Sequence, residues 1–234
     1  MKKKITLLGL ALTLIVTGIA LASSGGPSIS PDEALQSLMA GNKRYVESKM
    51  TNASRSDATS RTALAHSQKP YAVILTCSDS RVPPEIIFDK GLGEIFVIRV
   101  AGNVPDPIVL GSIEYAAEHL GSPLIMVLGH ERCGAVKATV EAKDKTTGSK
   151  NIDAIAQAIA PSVKTAAKDC KGNAKCAEAK SSEFLERVSD ANAKHVAANL
   201  TKQSPILKHL VQEKKIKIVA AKYDLDDGLV TLFK

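Results

Sequence analysis

The sequence lacks tryptophan and is poor in other aromatics, with four tyrosines and four phenylalanines among 234 residues. Stacking surfaces for single-stranded nucleic acid are therefore scarce. Cysteine is also rare: four residues are too few to staple a chain of this length, so those that matter are expected to do chemistry or to form one local bridge. A content of 44% hydrophobic and 24% charged residues excludes a disordered, collagen-like or multi-span membrane chain.

The amino terminus has the pattern of an export signal. Three lysines follow the first methionine, and an apolar run of 18 residues comes next and ends in Ala20-Leu21-Ala22, the small-residue pattern that signal peptidase cleaves. We therefore predict a signal peptide over residues 1–22, followed by one domain over residues 23–234 in the periplasm or otherwise outside the cytoplasm. Contact with the membrane would be transient, through the signal peptide alone. An uncleaved membrane anchor is the alternative, because the run nearly reaches bilayer-spanning length.

The positive charge of the chain is partly the charge of this leader. Without the three lysines, the net charge falls from +7 to +4. The remaining excess is spread along lysine-rich helical stretches, which favours a solvated basic surface over a nucleic-acid interface. We therefore expect no nucleic-acid partner.

Apolar runs of strand length alternate with helical patterns along the rest of the chain. Strands are predicted at Tyr71–Thr76, Ile95–Val100, Leu124–Leu128, Ile216–Ala221 and Leu229–Phe233. Helices are predicted at Asp106–Leu120, Gly134–Lys143 and Ile206–Glu213. This alternation predicts an α/β fold, with a central, mainly parallel β-sheet flanked by helices, a C-terminal edge strand and an N-terminal helical arm.

Three further segments carry expectations about local structure. Residues 30–33, Ser-Pro-Asp-Glu, are typical of a helix start, with the serine as the N-cap. The polar segment Thr51–Arg61 is predicted to be an extended crossing arm without a core of its own. The Ala- and Lys-rich region Asn151–Leu200 is predicted to form two or three helices, broken at Pro161 and at residues 171–173, Lys-Gly-Asn.

Potential metal ligands follow two of the predicted strands. Cys77 and Asp79 come directly after the first strand, and His130 and Cys133 follow the third. Because sites form at the carboxyl ends of parallel strands, these side chains are expected to converge. Two thiols, an imidazole and a carboxylate suit zinc in kind and number. A buried thiol or a satisfied core histidine would explain each residue singly, but not the charged pair of Asp79 with Arg81 beside them.

Four segments carry a specific resemblance to the β-class carbonic anhydrases. They are Cys-Ser-Asp-Ser-Arg-Val-Pro-Pro at 77–84, Arg-Val-Ala-Gly-Asn at 99–103, Gly-Ser-Ile-Glu-Tyr at 111–115 and Gly-His-Glu-Arg-Cys-Gly-Ala at 129–135. The similarity extends over essentially the whole mature chain. It implies zinc ligation by Cys77, His130 and Cys133, with the fourth position taken by Asp79 in a closed state or by water in an open one.

The resemblance also implies a substrate and an assembly. Gln68 falls where the family has a substrate-orienting glutamine, nine residues before the first cysteine. The family forms an obligate homodimer, often a dimer of dimers, with the active site at the dimer interface. The substrates it implies are carbon dioxide and bicarbonate. A second, non-catalytic bicarbonate site occurs in part of the class and involves a tryptophan, so we expect that site to be absent here and the metal to rest in the open state.

The activity implied is the zinc-dependent reversible hydration of carbon dioxide to bicarbonate and a proton. On our hypothesis, zinc-bound hydroxide attacks carbon dioxide, Asp79 accepts the hydroxide's hydrogen bond, and Arg81 holds Asp79 in a gating dyad. One alternative is the hydrolysis of carbonyl sulfide or carbon disulfide on the same scaffold. The other is a non-catalytic structural zinc protein, against which the Asp79–Arg81 pair argues, since a closed structural site needs no such partner.

The remaining two cysteines lie close together in the sequence. Cys170 and Cys176 flank five residues that contain a Gly-Asn turn signal. An exported location permits disulfides, so a local Cys170–Cys176 bridge is favoured over two free thiols.

Overall fold

A computed structural model describes residues 29–142, 145–170 and 181–234. The predicted signal peptide, the predicted helix break at residues 171–173 and Cys176 lie outside the described residues.

The described residues form a five-stranded sheet with the strand order β2-β1-β3-β4-β5. The strands are β1 (Ala72–Thr76), β2 (Ile95–Arg99), β3 (Leu124–His130), β4 (Lys217–Tyr223) and β5 (Val230–Leu232). The first four are parallel, and β5 pairs antiparallel to β4 after a hairpin. Every residue of β1 and β3 is buried, as continuous apolar runs in the middle of a parallel sheet require. The predicted α/β fold is confirmed, and the strands match their predicted bounds to within about two residues.

Helices cover both faces of this sheet. They are α1 (Pro31–Val46), α2 (Ala58–Ala63), α3 (Pro84–Ile87), α4 (Pro107–Glu118), α5 (Gly134–Ala142), α6 (Lys150–Asp169), α7 (Ser182–Gln203) and α8 (Pro205–Gln212). Alternate side chains of β1 point to opposite faces, so Ile74 packs in the core under α1 while Leu75 packs under α4, α7 and α8. None of the described helices combines the length and the apolar character needed to cross a bilayer.

The N-terminal helix begins where the sequence predicts. Ser30 accepts a hydrogen bond on its side chain from the Glu33 amide at 3.2 Å, and the Glu33 carboxylate accepts one from the Ser30 amide at 2.7 Å. This reciprocal pair satisfies two amides that a helix start otherwise leaves unpaired. The Ser-Pro-Asp-Glu signal is therefore a genuine helix start.

The arm that follows α1 differs from its prediction. Thr51–Arg61 is not extended: Asn52–Arg55 form a 3₁₀ turn, and α2 begins after Asp57, whose carboxylate accepts from the Ser60 amide at 2.8 Å. Neither helical segment contains a buried residue. The prediction of an extended arm was wrong because local hydrogen bonds, such as the Asp57 cap of α2, stabilise helical turns here without any apolar face.

The predicted break at Pro161 was also wrong. The helix α6 runs without interruption from Lys150 to Asp169, with Pro161 inside it. Proline removes one amide donor and crowds the preceding turn, a cost that packing must offset. Ile159, Ser162 and Ala166 are buried on either side of the proline, so tertiary contacts hold both halves of α6 in one helix.

Candidate metal centre

Three of the predicted ligands meet at the carboxyl edge of the sheet. Cys77 directly follows β1, His130 is the last residue of β3, and Cys133 directly precedes α5. Because β1 and β3 are parallel neighbours in register, they end at the same edge. The two sulfur atoms and a ring nitrogen lie within 4.8 Å of one another, and all three residues are buried.

The histidine has an unused nitrogen. Its Nδ1 lies 2.8 Å from the carbonyl oxygen of Glu131, which can only accept, so Nδ1 carries the proton. This assignment leaves a lone pair on Nε2, which is buried and has no hydrogen-bond partner within the described part of the chain. An unpaired buried nitrogen beside two thiols is costly unless it binds something. The three side chains therefore fit a zinc ion, which favours soft thiolate and imidazole ligands.

A hydrogen bond joins the two thiols. The Cys133 thiol donates to Cys77, which lowers the pKa of Cys77 to about 4 and raises that of Cys133. The backbone amide of Gly102 also donates to the Cys77 sulfur, at 3.4 Å. Metal ligation requires thiolates, and the lowered pKa of Cys77 favours that form at one of the two sulfurs.

Asp79 and Arg81 form a two-pronged ion pair beside the ligands. Arg81 Nε donates to Asp79 Oδ1 at 2.9 Å, and Arg81 Nη2 donates to Oδ2 at 2.7 Å. The Arg81 guanidinium holds the pKa of Asp79 at about 2, well below its usual range. Asp79 Oδ2 also lies 4.0 Å from His130 Nε2. The structure thus brings the carboxylate to the rim of the ligand cluster while its hydrogen bonds go to Arg81.

A second arginine supports the loop that carries this pair. Arg99 Nε donates to the carbonyl of Cys77 at 3.1 Å, and Arg99 Nη2 donates to the carbonyl of Asp79. Arg99 is the last residue of β2, the strand next to β1. In the sequence, Arg99 begins one of the four segments that carry the resemblance, but no role was predicted for it. Its place at the end of a strand that neighbours β1 was the signal that could have found it.

The loop between His130 and Cys133 depends on distant residues. Arg132 has a φ of +50°, which a residue with a side chain seldom adopts. Its amide donates to the Glu186 carboxylate at 2.8 Å, and its guanidinium binds Asp226 at 2.8 and 2.9 Å. Sequence reasoning missed both acids, because nothing in the local pattern links them to this loop.

The other predicted residues lie apart from the cluster. Gln68 is exposed between α2 and β1, and among the described residues it takes no part in the hydrogen bonds around the ligands. Cys170 is buried at the C-cap of α6. Its predicted partner, Cys176, lies outside the described residues, so the disulfide stays a prediction.

Comparison with known sequences gives the family. The family model described as carbonic anhydrase matches residues 72–230. Carbonic anhydrase 2 of Mycobacterium tuberculosis is 40% identical over 210 residues, covering 88% of this chain and 94% of that protein. A carbonic anhydrase of Mycolicibacterium smegmatis is 39% identical over 210 residues, covering 88% of this chain and 95% of that protein.

Comparison with solved structures gives the class. The Coccomyxa β-carbonic anhydrase superposes with a TM-score of 0.66 at 25% identity, covering 85% of this chain and 86% of that one. The β-carbonic anhydrase CafA of Aspergillus fumigatus gives a TM-score of 0.66 at 23% identity, covering 86% and 90%, which shows the shared fold alone. The resemblance found in the sequence is confirmed: the chain belongs to the β-class carbonic anhydrase family.

Proposed function

We propose that this enzyme hydrates carbon dioxide reversibly to bicarbonate and a proton, using a zinc ion held by Cys77, His130 and Cys133. The observation that carries the proposal is the buried, unpaired Nε2 of His130, whose ring has a nitrogen within 4.8 Å of two cysteine sulfurs. Membership of the family supports carbon dioxide as the substrate. The donor set supports zinc, because two thiolates and an imidazole are the ligands that zinc prefers.

Asp79 would orient the nucleophile. When bound, the zinc ion supplies the Lewis acidity that lets water act as a nucleophile near neutral pH. With a pKa of about 2, Asp79 stays ionised under those conditions and can only accept hydrogen bonds. A carboxylate that accepts a hydrogen bond from the nucleophile leaves an oxygen lone pair of the nucleophile directed elsewhere, toward the carbon of carbon dioxide.

Arg81 would act as a gate through Asp79. Its guanidinium occupies both carboxylate oxygens, so Asp79 is not available as a fourth metal ligand while this pair is formed. If the pair were broken, Asp79 would be free to occupy the fourth coordination position of the metal and exclude water from it. The formed pair supports an open resting state, and the absence of tryptophan from the sequence supports hyperbolic kinetics without a second bicarbonate site.

Stopped-flow hydration assays on the metal-analysed protein test this function. We expect carbon dioxide hydration that scales with zinc content and disappears with a chelator. A parallel assay with carbonyl sulfide and carbon disulfide tests the substrate, since turnover of these compounds without carbon dioxide hydration would assign the enzyme to them. Stoichiometric zinc without turnover of any of the three would leave a structural zinc protein.

We also propose a homodimer, or a dimer of dimers. The edge strand β2 is only half-buried, and next to it α4 exposes Ile108 at 78% and Tyr115 at 47%. Apolar side chains exposed together are typical of a surface that another chain covers. One neighbour in fold, from Sordaria macrospora, is a tetrameric β-carbonic anhydrase, with a TM-score of 0.65 at 20% identity. Light scattering should give a dimer or tetramer, and an active monomer would refute this assembly.

Export is part of the same proposal. The lysines, the apolar run and the small-residue pattern before residue 23 support cleavage of a signal peptide and a periplasmic or otherwise exported enzyme. Mass spectrometry of the protein from whole cells should find a chain that begins at Ser23. An intact leader on active protein would favour the membrane anchor.

A further inference from the structure

A buried chain of hydrogen bonds connects two helices to the sulfur of Cys77. Ser162 on α6 donates through its hydroxyl to Asn192 Oδ1 at 3.3 Å, and Asn192 Nδ2 on α7 donates to the carbonyl of Gly102 at 2.8 Å. The amide of Gly102 donates in turn to Cys77 Sγ at 3.4 Å. Ser162 and Asn192 are almost completely buried, so water does not compete for these bonds.

Gly102 is held tightly at the middle of this chain. Its φ is +70°, and a Cβ there would lie 2.7 Å from the Ile159 Cδ1 atom of α6. A side chain at this position would require Ile159 to move and would strain the positive φ, both of which favour glycine here. The carbonyl oxygen of Gly102 accepts a hydrogen bond from Asn192 on α7, and the amide of Gly102 donates one to Cys77.

We propose that Asn192, itself oriented by Ser162, is a positioning residue that holds the Gly102 amide on the Cys77 sulfur. This inference rests on the proposed zinc site. A hydrogen bond to a thiolate withdraws charge from sulfur, and hydrogen bonds to ligand atoms are a known means of tuning a metal. Two thiolates cancel most of the charge of a divalent cation, so such an N–H···S bond preserves Lewis acidity that the ligand set would otherwise remove.

The test replaces Asn192 by leucine, a side chain of similar volume without polar atoms. Cobalt is loaded in place of zinc, and the sulfur-to-cobalt charge-transfer band is recorded. Without the hydrogen bond from Asn192, the Gly102 amide is no longer held on the Cys77 sulfur. The sulfur lone pairs then rise in energy, so N192L should move the charge-transfer band to longer wavelength. In the zinc enzyme, the acidic limb of the pH–rate profile should move to higher pH. At neutral pH, kcat/KM should fall about tenfold or more, the usual effect of losing a partner of a metal ligand.

Asn42 provides a matched control. It is also fully buried, and its side chain donates to the carbonyls of Ile87 and Gly228 and accepts from the Val230 amide, all outside the metal centre. N42L should destabilise the fold to a similar degree without moving the cobalt band or the pH–rate profile. If N192L lowers the melting temperature as N42L does and leaves the band in place, Asn192 is structural and the proposal fails.

A milder variant covers the case in which N192L does not fold. S162A removes only the hydroxyl that orients Asn192, so it should move the band in the same direction by a smaller amount. An unmoved band in well-folded S162A, with N192L unfolded, would also overturn the proposal. Loss of zinc binding in wild-type protein would instead contradict the proposed zinc site, which separates the two failures.

Discussion

The two loops that meet at the metal centre are held by contacts of different range. In the loop after β1, Arg81 binds Asp79 only two residues away. In the loop after β3, Arg132 binds Glu186 through its amide and Asp226 through its guanidinium, 54 and 94 residues away. Both arginines make two-pronged ion pairs of nearly the same length. Their surroundings differ, because the Asp79 side chain is 16% exposed and that of Asp226 is 76% exposed.

This difference in exposure separates the proposed gating pair, Arg81–Asp79, from the Arg132–Asp226 pair. Water and salt screen the Arg132–Asp226 pair strongly, so its contribution is small whatever its geometry. The Arg81–Asp79 pair lies beside buried ligands, where the carboxylate can reach the reacting atoms. We therefore expect changes at the first loop to affect chemistry and changes around the second to affect mainly how firmly the ligands are held.

The largest effect should come from removing a ligand. Cys133→Ala leaves two strong donors, too few for the tetrahedral site that zinc adopts, so zinc content and activity should both be lost. Elemental analysis after gel filtration measures it. Arg81→Ala is the matched control on the other loop and should keep its zinc. Full zinc occupancy in Cys133→Ala would show that the centre lies elsewhere.

Removing the gate should be the next largest effect. Arg81→Ala should retain zinc but lose about 10- to 100-fold in kcat, the range found when a residue that orients a metal-site group is removed. Arg81→Lys should recover only part of the activity, because an ammonium cannot bind both carboxylate oxygens in parallel. Stopped-flow kinetics measure both variants. An Arg81→Ala enzyme with full activity would eliminate the gating dyad.

The distant pair should matter less. Asp226→Asn removes one charge from an exposed ion pair that water screens strongly, so zinc affinity and kcat should stay within about fivefold of wild type. Competition with a chromophoric chelator measures the affinity. A loss as large as that in Arg81→Ala would mean that the two loops depend equally on their ion pairs.

The smallest effect concerns stability at low pH. The folded-state pKa of Asp79 lies at about 2, below its unfolded value. The stability it contributes is therefore complete above the unfolded pKa, near about 3.9, and is lost as the pH falls through the folded value. The difference in melting temperature between metal-free wild type and metal-free Asp79→Asn should shrink from about pH 4 toward about pH 2. A difference that grows over this range would contradict the lowered pKa.

Local sequence patterns predicted the strands of the sheet and the start of the first helix. The apolar runs predicted buried parallel strands, which is confirmed for β1 and β3, whereas β2 and β4 are only partly buried. The Ser30–Glu33 cap was visible from spacing alone. The errors came where local preference and packing disagree. Pro161 breaks helices by itself, yet the buried residues around it keep α6 continuous.

The structure also shows where the described cysteines of the chain lie. The structure brings Cys77 and Cys133 together as one buried pair beside His130, the last residue of β3. Cys170 lies elsewhere, at the end of α6. The clustering of Cys77 with Cys133 supports the expected metal-binding pair. Thiol counting with and without a chelator tests the predicted Cys170–Cys176 disulfide.

The sequence by itself determined the chemical identity of the site. Cys77, Asp79 and Arg81 lie within five consecutive residues, as do His130 and Cys133, so short spacing and the rule that parallel strands end at one edge were enough to predict their convergence. Only the tertiary structure decided what supports them. Asn192 reaches Gly102 across 90 residues and Glu186 reaches Arg132 across 54, and buried amides or carboxylates on helices have no sequence pattern that names such partners. Those contacts exist because α7 packs against β3 and β4, a placement set by the whole core.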